Sequence, residues 1–358
     1  MERKQLSYMR RKKRRRRIFW FLIFPVLLFG FSAAAYGAYL YNKAETVFNN
    51  SHEEIDRKKS DLRKAEVDPS EDNVSILFIG IDDSKSRNFG NDTRSDALIL
   101  ATLNKKDKSV KLLSIPRDSY VYVPKVGYKT KITHAHAYGG PKATIDTVEN
   151  LLDIPVDYYV RMNFYAFMDV VDAVGGIEAD VPYSIHEKDS EDHHNAINLK
   201  PGMQKLDGEE ALALARTRKQ DNDIERGKRQ QKLMKAVMDK AVSVGSISKY
   251  DDIIEAVGDN MKTNMTFSEM KSFVSYATSG HLNIETLTLK GSDSMIDGVY
   301  YYQLDDTDLA NIKNTLKEHL GIKDDSEDNV AETNSDSSDN SSDSEDSTES
   351  AQTDTDSN

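Results

Sequence analysis

The chain has 358 residues, a net charge of −12 and no cysteine. The lack of cysteine excludes a disulfide framework and a cysteine-ligated zinc site. Charge is divided unevenly, because residues 1–17 carry ten Lys/Arg, whereas residues 324–358 carry thirteen acidic residues and no basic one.

The basic segment, 1–17, is followed directly by an apolar stretch of 24 residues, 18–41. About 20 apolar residues suffice for a helix to cross a bilayer, and positive charge stays on the cytoplasmic side. We therefore expect a single-pass protein of the cell membrane with a cytoplasmic N-terminus and a transmembrane helix over 18–41. The alternative is a cleaved signal peptide, whose apolar core is shorter, about 7–15 residues.

The remaining chain divides into three parts by composition. Polar residues 42–72 are expected to form a stalk between the membrane and the domain. Residues 73–323 are numerous enough for one substantial core, which lies outside the cytoplasm if the helix spans the membrane. The acidic, Ser/Asp-rich tail, 324–358, has too few apolar side chains to offset its ordering entropy and is expected to be disordered.

Hydrophobic patterns within 73–323 predict strands and helices that alternate along the chain. A buried strand over 74–80 comes first, and 96–103 and 109–115 predict an antiparallel hairpin. Further strands are expected at 120–123, 156–162, 177–181 and 283–289. Helices are expected at 141–152, 164–174, 208–215, 224–244, 267–276 and 306–320. This mixture predicts an α/β fold with a mixed central sheet covered by helices.

Arginine and aspartate are concentrated at the ends of these strands. Asp82 follows the first strand, Arg94 and Asp96 surround the start of the second, and Arg117 and Asp118 follow the third. A further group lies at one junction between two helices: Arg216, Arg218, Asp221, Asp223, Arg226 and Arg229. Because ligands of open α/β sheets bind beyond strand ends, several of these side chains are expected to converge on one crevice.

Several arginines aimed at one point repel each other unless an anion lies between them. Guanidinium groups match phosphate oxygens through paired, charge-assisted hydrogen bonds. Two carboxylates beside the same anion require a cation, and Mg²⁺ bound through carboxylates and phosphate oxygens meets that need. Residues 216 and 218 lie about 200° apart on a helix, so the helix must end near Arg216 if both arginines meet one ligand. For any single pair, an ordinary salt bridge is the alternative.

Six strings occur in a consistent order: ILFIGIDD (76–83), TRSDALIL (93–100), LLSIPRDSYVYVP (112–124), KITHAHAYGG (131–140), DYYVRMNFYAFMDVVDAVGGIEADVP (157–182) and LDGEEALALARTRKQDNDIERGKRQQ (206–231). Together they resemble the LytR-CpsA-Psr family, most closely its teichoic-acid-transferring members. The resemblance implies an α-β-α domain at the surface of a Gram-positive bacterium. It also implies a phosphotransferase that moves a glycopolymer, such as wall teichoic acid, from a polyprenyl-pyrophosphate carrier to a peptidoglycan hydroxyl. The expected partners are this lipid-linked glycopolymer, peptidoglycan and membrane lipid, and not nucleic acid.

The resemblance also implies residue roles. Asp82 and Asp96 would hold Mg²⁺, with Mn²⁺ as an alternative. The pyrophosphate would be bound by Arg94, Arg117, Arg216, Arg218, Arg226 and Gln230, and Lys131 is a further candidate contact. Arg94, Arg117 and Asp223 are the candidate catalytic residues, Asp223 as a base or as the group that orients Arg226. The lipid chain would occupy an apolar tunnel between the sheet and the helices.

Three alternative functions remain open from the sequence. The same pocket would serve a hydrolase, in which water replaces the sugar hydroxyl, or a non-catalytic lipid-glycan carrier. A membrane-bound regulator is less favoured, because residues 1–17 are too short for a helix-turn-helix.

Three other groups favour structural roles. His134 and His136 are spaced as in a strand or loop. The pair at 193–194 is typical of a solvated loop, and Arg229 is expected to be a surface partner of the long helix.

Overall fold

In a computed structural model of the chain, the described residues are 31–32, 34–81, 93–217, 222–241, 254–255, 258, 260–278 and 282–322. Asp82, Arg218, Asp221, most of the expected membrane span and the acidic tail lie outside these ranges. Residues 34–51 form a helix. Across the described ranges, no helix is both long and apolar enough to cross a membrane.

The domain contains fourteen strands among its described residues: β1 (Val74–Ile81), β2 (Ser95–Asn104), β3 (Ser109–Ser114), β4 (Tyr120–Val123), β5 (Tyr128–Lys131), β6 (Tyr158–Asn163), β7 (Ile177–Val181), β8 (Ile185–Glu187), β9 (Ile197–Leu199), β10 (Gly202–Leu206), β11 (Met261–Thr263), β12 (Asn283–Thr288), β13 (Gly291–Ile296) and β14 (Val299–Leu304). Its helices are α1 (His134–Leu152), α2 (Phe164–Ala173), α3 (Gly208–Arg216), α4 (Asp223–Ala241), α5 (Phe267–Thr278) and α6 (Asp306–Leu320).

Six strands form the central sheet in the order β11-β6-β1-β2-β3-β12. β1 pairs in parallel with β6, and β3 pairs in parallel with β12. The other three pairings are antiparallel, including the predicted β2–β3 hairpin. The expectation of a mixed sheet covered by helices is therefore confirmed. Four two-stranded sheets surround it, two of which are β4–β5 and β13–β14.

Helices cover both faces of this sheet. On one face, Ile76, Ile99 and Leu112 belong to an apolar cluster against which residues of α4 and α5 pack. On the other face, Thr102 Oγ1 lies 2.8 Å from Nδ1 of His319 in α6. Because alternate residues of a strand point to opposite faces, Ile99, Ala101 and Leu103 of β2 contact the first layer, and Thr102 contacts α6. We call these the α4/α5 face and the α1/α6 face.

Helix α1 lies with α6 and starts earlier than the apolar pattern predicts. Lys317 Nζ of α6 lies 2.8 Å from the carboxylate of Asp153, which caps α1. The helix expected over 141–152 is confirmed as the second half of α1, whereas the expectation that His134 and His136 lie in a strand or loop is wrong, because both are in a helical first half. Gly139 and Gly140 interrupt the helix, Gly140 with a φ of 62°. This break changes the direction of the chain, so the two halves of α1 share no single helical periodicity.

Residues 42–72, expected to form a stalk, also contribute to the surface of the domain. Arg57 forms a bidentate pair with Glu149 of α1, at 2.8 and 2.9 Å. Arg63 pairs with the buried carboxylate of Asp157 at 2.7 Å. Two buried or half-buried ion pairs therefore hold the end of this segment against the sheet.

Candidate functional site

The candidate site lies at one end of the central sheet, where β1 and β3 end and β2 begins. Asp96 is the second residue of β2, and Arg117 follows β3 after Ile115 and Pro116. Antiparallel pairing of β2 with β3 brings these ends together, with Ile99 opposite Ser114. Helix α4 begins with Asp223 at the same place.

Four charged side chains of alternating sign form a network at this end. Arg117 Nη1 donates a hydrogen bond to Asp96 Oδ1. The backbone N–H of Arg117 donates to Asp223 Oδ2 at 3.2 Å, and Arg226 Nη2 lies 2.6 Å from Asp223 Oδ1. Arg226 also approaches the carbonyl oxygen of Asp96 at 3.4 Å. The structure thus brings together four of the predicted site residues, from β2, the end of β3 and α4.

Exposure differs across this network. The side chains of Arg226 and Asp223 are 7% and 15% exposed, whereas those of Arg117 and Asp96 are 21% and 28% exposed. Arg226 and Asp223 therefore form the buried side of the network, and Arg117 and Asp96 form its more exposed side. Asp223 Oδ2 accepts a hydrogen bond from the backbone of Arg117, and its Oδ1 forms an ion pair with Arg226, so its geometry suits a residue that orients Arg226.

Close packing of α4 against the sheet positions this network. A Cβ at Gly227 would lie 2.5 Å from Ser114 Oγ, so only glycine allows this approach. Gln231 Nε2 donates to the carbonyl oxygens of Leu112 and Leu287, at 2.8 and 2.7 Å. Gly227 and Gln231 thus fix α4 across β3 and β12. Neither residue was predicted from the sequence, although a glycine near the start of a polar helix indicates close packing.

Arg229 has a different role from the one expected. It is 6% exposed, and its Nε donates to the carbonyl oxygen of Leu214 at 3.1 Å. A second nitrogen of the guanidinium donates to the carbonyl oxygen of Thr217. The expectation of a surface partner is therefore wrong, because Arg229 satisfies carbonyl groups that the end of α3 leaves without helical partners.

Helix α3 ends near Arg216, as is required if Arg216 and Arg218 are to meet one ligand. Arg216 is its last residue, and Thr217 leaves the helix with a ψ of 140°. The guanidinium carbon of Arg216 lies 5.2 Å from the ring centre of Phe164, and Gln230 Nε2 donates to the carbonyl oxygen of Ala215 at 3.3 Å. Arg218 itself lies outside the described residues.

Lys131 and Arg94 border the network on the side of the β4–β5 hairpin. Lys131 Nζ lies 2.8 Å from Asp118 Oδ1, and this carboxylate lies 4.0 Å from Arg117 Nε. Arg94 is exposed immediately before β2. Burial, followed by the positive charge of Arg94, lowers the pKa of His134. The cations therefore extend from α4 to the hairpin.

The buried polar atoms near the network that have no hydrogen-bond partner among the described residues include Arg117 Nε, Ser95 Oγ and Thr217 Oγ1. Such groups are uncommon in folded proteins, because leaving a buried donor or acceptor unpaired costs about 1–3 kcal/mol. Where they cluster, a ligand with oxygen atoms is the natural partner.

The two histidine pairs singled out in the sequence do not form a ligand cluster here. His136 is 3% exposed, and its Nδ1–H donates to the carbonyl oxygen of Thr93 at 2.6 Å. Burial lowers the pKa of His136. His193 is exposed and bonds Asp189 at 2.8 Å, as expected for a solvated loop. Within the described part of the chain, no group of three or more His, Asp or Glu could hold a metal ion.

Apolar side chains that are only partly buried lie along the α4/α5 face. They pack against the buried cluster of the sheet and come from the strands, from α4 and α5, and from connecting segments: Phe48, Val67, Phe78, Met162, Met234, Met270, Phe273, Leu282 and Ile284. By contrast, Val171 of α2 belongs to a second core cluster, and Phe167 packs against it. These two residues are therefore ordinary core rather than an open lining.

Comparison with known proteins places this arrangement in context. The profile of the LytR_cpsA_psr family matches residues 38–318. The polyisoprenyl-teichoic acid–peptidoglycan teichoic acid transferase TagT of Bacillus subtilis (strain 168) is 40% identical over 318 residues, covering 87% of this chain and 98% of that protein. A structure of TagT bound to LIIa-WTA has a TM-score of 0.64 and 40% identity, covering 74% of this chain and 97% of that one. A structure of YwtF (TagT) with bound octaprenyl pyrophosphate lipid has a TM-score of 0.61 and 37% identity, covering 74% and 98%.

Proposed function

Because the chain belongs to the LytR_cpsA_psr family, we propose that it transfers a glycopolymer from a polyprenyl-pyrophosphate carrier to peptidoglycan. The proposed glycopolymer is a wall teichoic acid, since the similar TagT is named as a teichoic acid transferase. A hydroxyl oxygen of peptidoglycan attacks the phosphorus that carries the glycopolymer. The bond from that phosphorus to the bridging oxygen breaks, polyprenyl phosphate leaves, and the hydroxyl proton is released. The product is a phosphodiester.

The observation that carries this proposal is the network of Asp96, Arg117, Asp223 and Arg226 at the end of the sheet. Its more exposed arginine, Arg117, has a buried Nε that makes no hydrogen bond within the described part of the chain. Guanidinium groups bind phosphate oxygens in pairs, and transfer of a phosphoryl group depends on positioning and on neutralising the charge of its oxygens. Arg117 would both position a bound phosphate group and neutralise part of its charge.

The remaining residues take graded roles in this proposal. Arg117 and Arg94 contact the pyrophosphate from the open side, and Arg216, Arg218 and Lys131 contribute further positive charge. Arg226 and Gln230 complete the pocket from α4. Asp223 acts as a positioning residue, because it accepts a hydrogen bond from the backbone N–H of Arg117 and forms an ion pair with Arg226.

We also propose a divalent cation, Mg²⁺ or alternatively Mn²⁺, held by Asp96 together with Asp82. The donor chemistry of Asp96 fits, since its carboxylate is 28% exposed beside the network and Mg²⁺ prefers carboxylate and phosphate oxygens. When bound, the ion would neutralise negative charge on the pyrophosphate. Asp96 also accepts a hydrogen bond from Arg117, so this residue would orient the guanidinium as well.

The lipid part of the carrier fits the α4/α5 face. Partly buried apolar side chains such as Phe78, Met162 and Met234 lie there against the core of the sheet. Each Å² of apolar surface that is buried stabilises the complex by about 25 cal/mol, so a long prenyl chain contributes to the affinity. We propose that this face holds the prenyl chain, while the pyrophosphate reaches the network.

We propose that the protein is tethered to the cell membrane by residues 18–41, with 1–17 in the cytoplasm and the domain, 73–323, outside. This arrangement follows from the apolar stretch and the ten basic residues before it. A tether confines the domain near its lipid-linked donor and raises the effective concentration of that donor. The tail, 324–358, would remain a disordered, solvated extension.

The test is a transfer assay with the full chain in detergent, lipid-linked wall teichoic acid precursor, Mg²⁺ and peptidoglycan glycan strands. Transfer predicts a covalent conjugate between glycopolymer and peptidoglycan, together with polyprenyl phosphate. Release of free glycopolymer phosphate without conjugate would identify a hydrolase. Tight donor binding without either product would identify a carrier.

A further inference from the structure

A surface rich in tyrosine lies next to the network, and the proposed function leaves it without a role. It is formed by two hairpins, β4–β5 and β13–β14, together with the first turns of α1. Tyr302 N donates to the carbonyl oxygen of Asp118 at 2.8 Å, which ties the second hairpin to the residue after Arg117. We call this surface the aromatic platform, and it comprises Tyr120, Tyr128, Tyr138, Tyr300 and Tyr301.

The rings of the platform are held by contacts with one another. Tyr120 and Tyr301 have ring centres 4.8 Å apart. Tyr128 and Tyr138 have ring centres 6.5 Å apart, and their hydroxyls are hydrogen-bonded at 3.2 Å. The hydroxyl of Tyr300 donates to Asp293 at 2.8 Å. The rings are thus ordered before any ligand arrives, which lowers the entropy cost of binding.

The platform is open to solvent and continuous with the cations of the site. Tyr128, Tyr138 and Tyr300 are 51%, 38% and 37% exposed. Lys131 Nζ, which pairs with Asp118, lies 5.6 Å and 5.7 Å from the ring centres of Tyr300 and Tyr301. The hydrogen bond between the Tyr128 and Tyr138 hydroxyls, and then burial, raise the pKa of Tyr138, whereas the nearby charge of Arg94 lowers it. Exposed groups of aromatic rings mark binding surfaces more often than they mark plain surface.

We propose that the aromatic platform binds the acceptor, a glycan strand of peptidoglycan, and presents one of its hydroxyls to the network. This inference rests on the proposed function and names the acceptor subsite of that reaction. Pyranose rings expose apolar C–H groups on their faces and hydroxyls at their edges. Flat tyrosine rings with polar hydroxyls match both features.

Charge also favours peptidoglycan as the occupant. From Ser119 to Thr133 the chain contains Lys125, Lys129 and Lys131 and no acidic residue, although the whole protein has a net charge of −12. The peptide stems of peptidoglycan carry carboxylates. On the β4–β5 hairpin, complementary charge therefore favours this polymer over a neutral glycan, whereas the β13–β14 hairpin carries Asp293 and Asp297 and no basic residue.

The position of the platform favours the acceptor over the donor. It lies beside α1, where Thr130 Oγ1 and His134 Nδ1 are 3.0 Å apart, and α1 covers the α1/α6 face. The proposed prenyl site lies on the α4/α5 face. Attacking and leaving oxygens are roughly in line across the phosphorus, so an acceptor that approaches from the side opposite the prenyl group has the required direction.

The experiment compares Tyr138→Ala and Tyr300→Ala with wild type in the transfer assay, with glycan strands and lipid-linked donor varied separately. Each alanine variant is expected to raise the KM for glycan strands about tenfold, which is the upper range of one aromatic contact, and to leave the KM for donor unchanged. Tyr138→Phe keeps the ring and is expected to remain near wild type. Met203→Ala is the matched control, because Met203 is 66% exposed on β10.

Calorimetric titration of the full chain with glycan strands, without donor, separates this inference from the proposed function. Binding by wild type that weakens about tenfold in Tyr138→Ala supports the platform even if no conjugate ever forms. An unchanged KM and Kd in Tyr138→Ala would overturn the inference while leaving transfer intact. A higher KM for the donor alone would also overturn it, because the platform would then hold the donor glycan.

Discussion

The two ends of the central sheet treat buried polar groups in opposite ways. At the end near the β2–β3 turn, His319 is 7% exposed, and both of its ring nitrogens are bonded, to Thr102 at 2.8 Å and Ser109 at 2.9 Å. Its carbonyl oxygen accepts from Asn104 at 2.8 Å. At the other end, Ser95 Oγ and Arg117 Nε are buried without a hydrogen bond among the described residues.

This difference distinguishes structural polar groups from groups that await a ligand. A buried polar group that is fully bonded stabilises one arrangement, and a buried group left unpaired destabilises the fold. The unpaired groups persist where charged side chains converge, which is where a protein retains strain for function. The turn end is therefore expected to control stability, and the site end is expected to control activity.

The largest effect is expected for Arg117→Ala. Loss of this partly exposed guanidinium removes charge stabilisation at the transferred phosphoryl group, and we expect kcat/KM to fall by about 100-fold or more. The free energy of unfolding should fall by only about 1 kcal/mol, because the Arg117–Asp96 pair is partly open to water, with side chains 21% and 28% exposed. Transfer assays and thermal melts measure the two quantities. A large loss of stability would place Arg117 with the structural groups and break the comparison.

His319→Ala should show the reverse. It removes two hydrogen bonds of about 1 kcal/mol each and leaves two hydroxyls unpaired, so we expect a loss of about 2 kcal/mol in the free energy of unfolding. At a temperature where the variant is folded, its kcat/KM should match that of wild type. Denaturant titration gives the first value. A tenfold fall in kcat/KM would show that the turn end also serves catalysis.

Asp223→Asn tests whether this residue orients Arg226 or acts as a base. Weaker orientation of Arg226 predicts a fall in kcat of about tenfold, with the shape of the pH–rate profile unchanged. Loss of a base would instead remove the acidic limb of that profile. Glu225→Gln, on the exposed side of the same helical turn, is the matched control. A changed acidic limb would contradict the positioning role.

The smallest effect is a pH dependence of stability from His319. Burial is the largest cause that lowers its pKa, and Lys111 acts in the same direction, while Asp107 and Glu285 oppose them. Because the folded state binds the proton more weakly than the unfolded state, stability should fall as the pH drops below the unfolded value of about 6.5. The loss should stop below the lower, folded pKa. The free energy of unfolding, measured from pH 8 to 5, should change less with pH in His319→Ala than in wild type. An equal change in both proteins would show that other groups cause the effect.

The sequence predicted much of this arrangement because its signals are local. Apolar strands ending in Asp or Arg predicted that charged side chains meet at one end of the sheet, and the end of α3 near Arg216 was confirmed. The bonds of Arg229 and Gln231 to distant carbonyl groups could not be predicted, because no local pattern records which backbone groups lie nearby. The helical start of α1 was missed because Gly139 and Gly140 disrupt its periodicity.

The aromatic platform also could not be predicted from local sequence patterns. Tyr128 and Tyr138 are ten residues apart in the sequence, and Tyr301 lies far downstream, so their contiguity depends on how two hairpins pack. The strand propensity of the tyrosines in β14 was also not enough to predict that β13 and β14 form a hairpin. Long-range pairing, such as the bridge between Ser119 and Tyr302, assembled this surface.

The most direct test is the thermal shift produced by octaprenyl pyrophosphate with Mg²⁺ in wild type, Arg117→Ala and His319→Ala. A ligand at 100 times its Kd stabilises the folded state by about 2.7 kcal/mol. We predict a clear rise in Tm for wild type and an equal rise from a lower starting value for His319→Ala. Arg117→Ala should show little or no rise. An equal rise in Arg117→Ala would contradict the assignment of the pyrophosphate to the network at the end of the sheet.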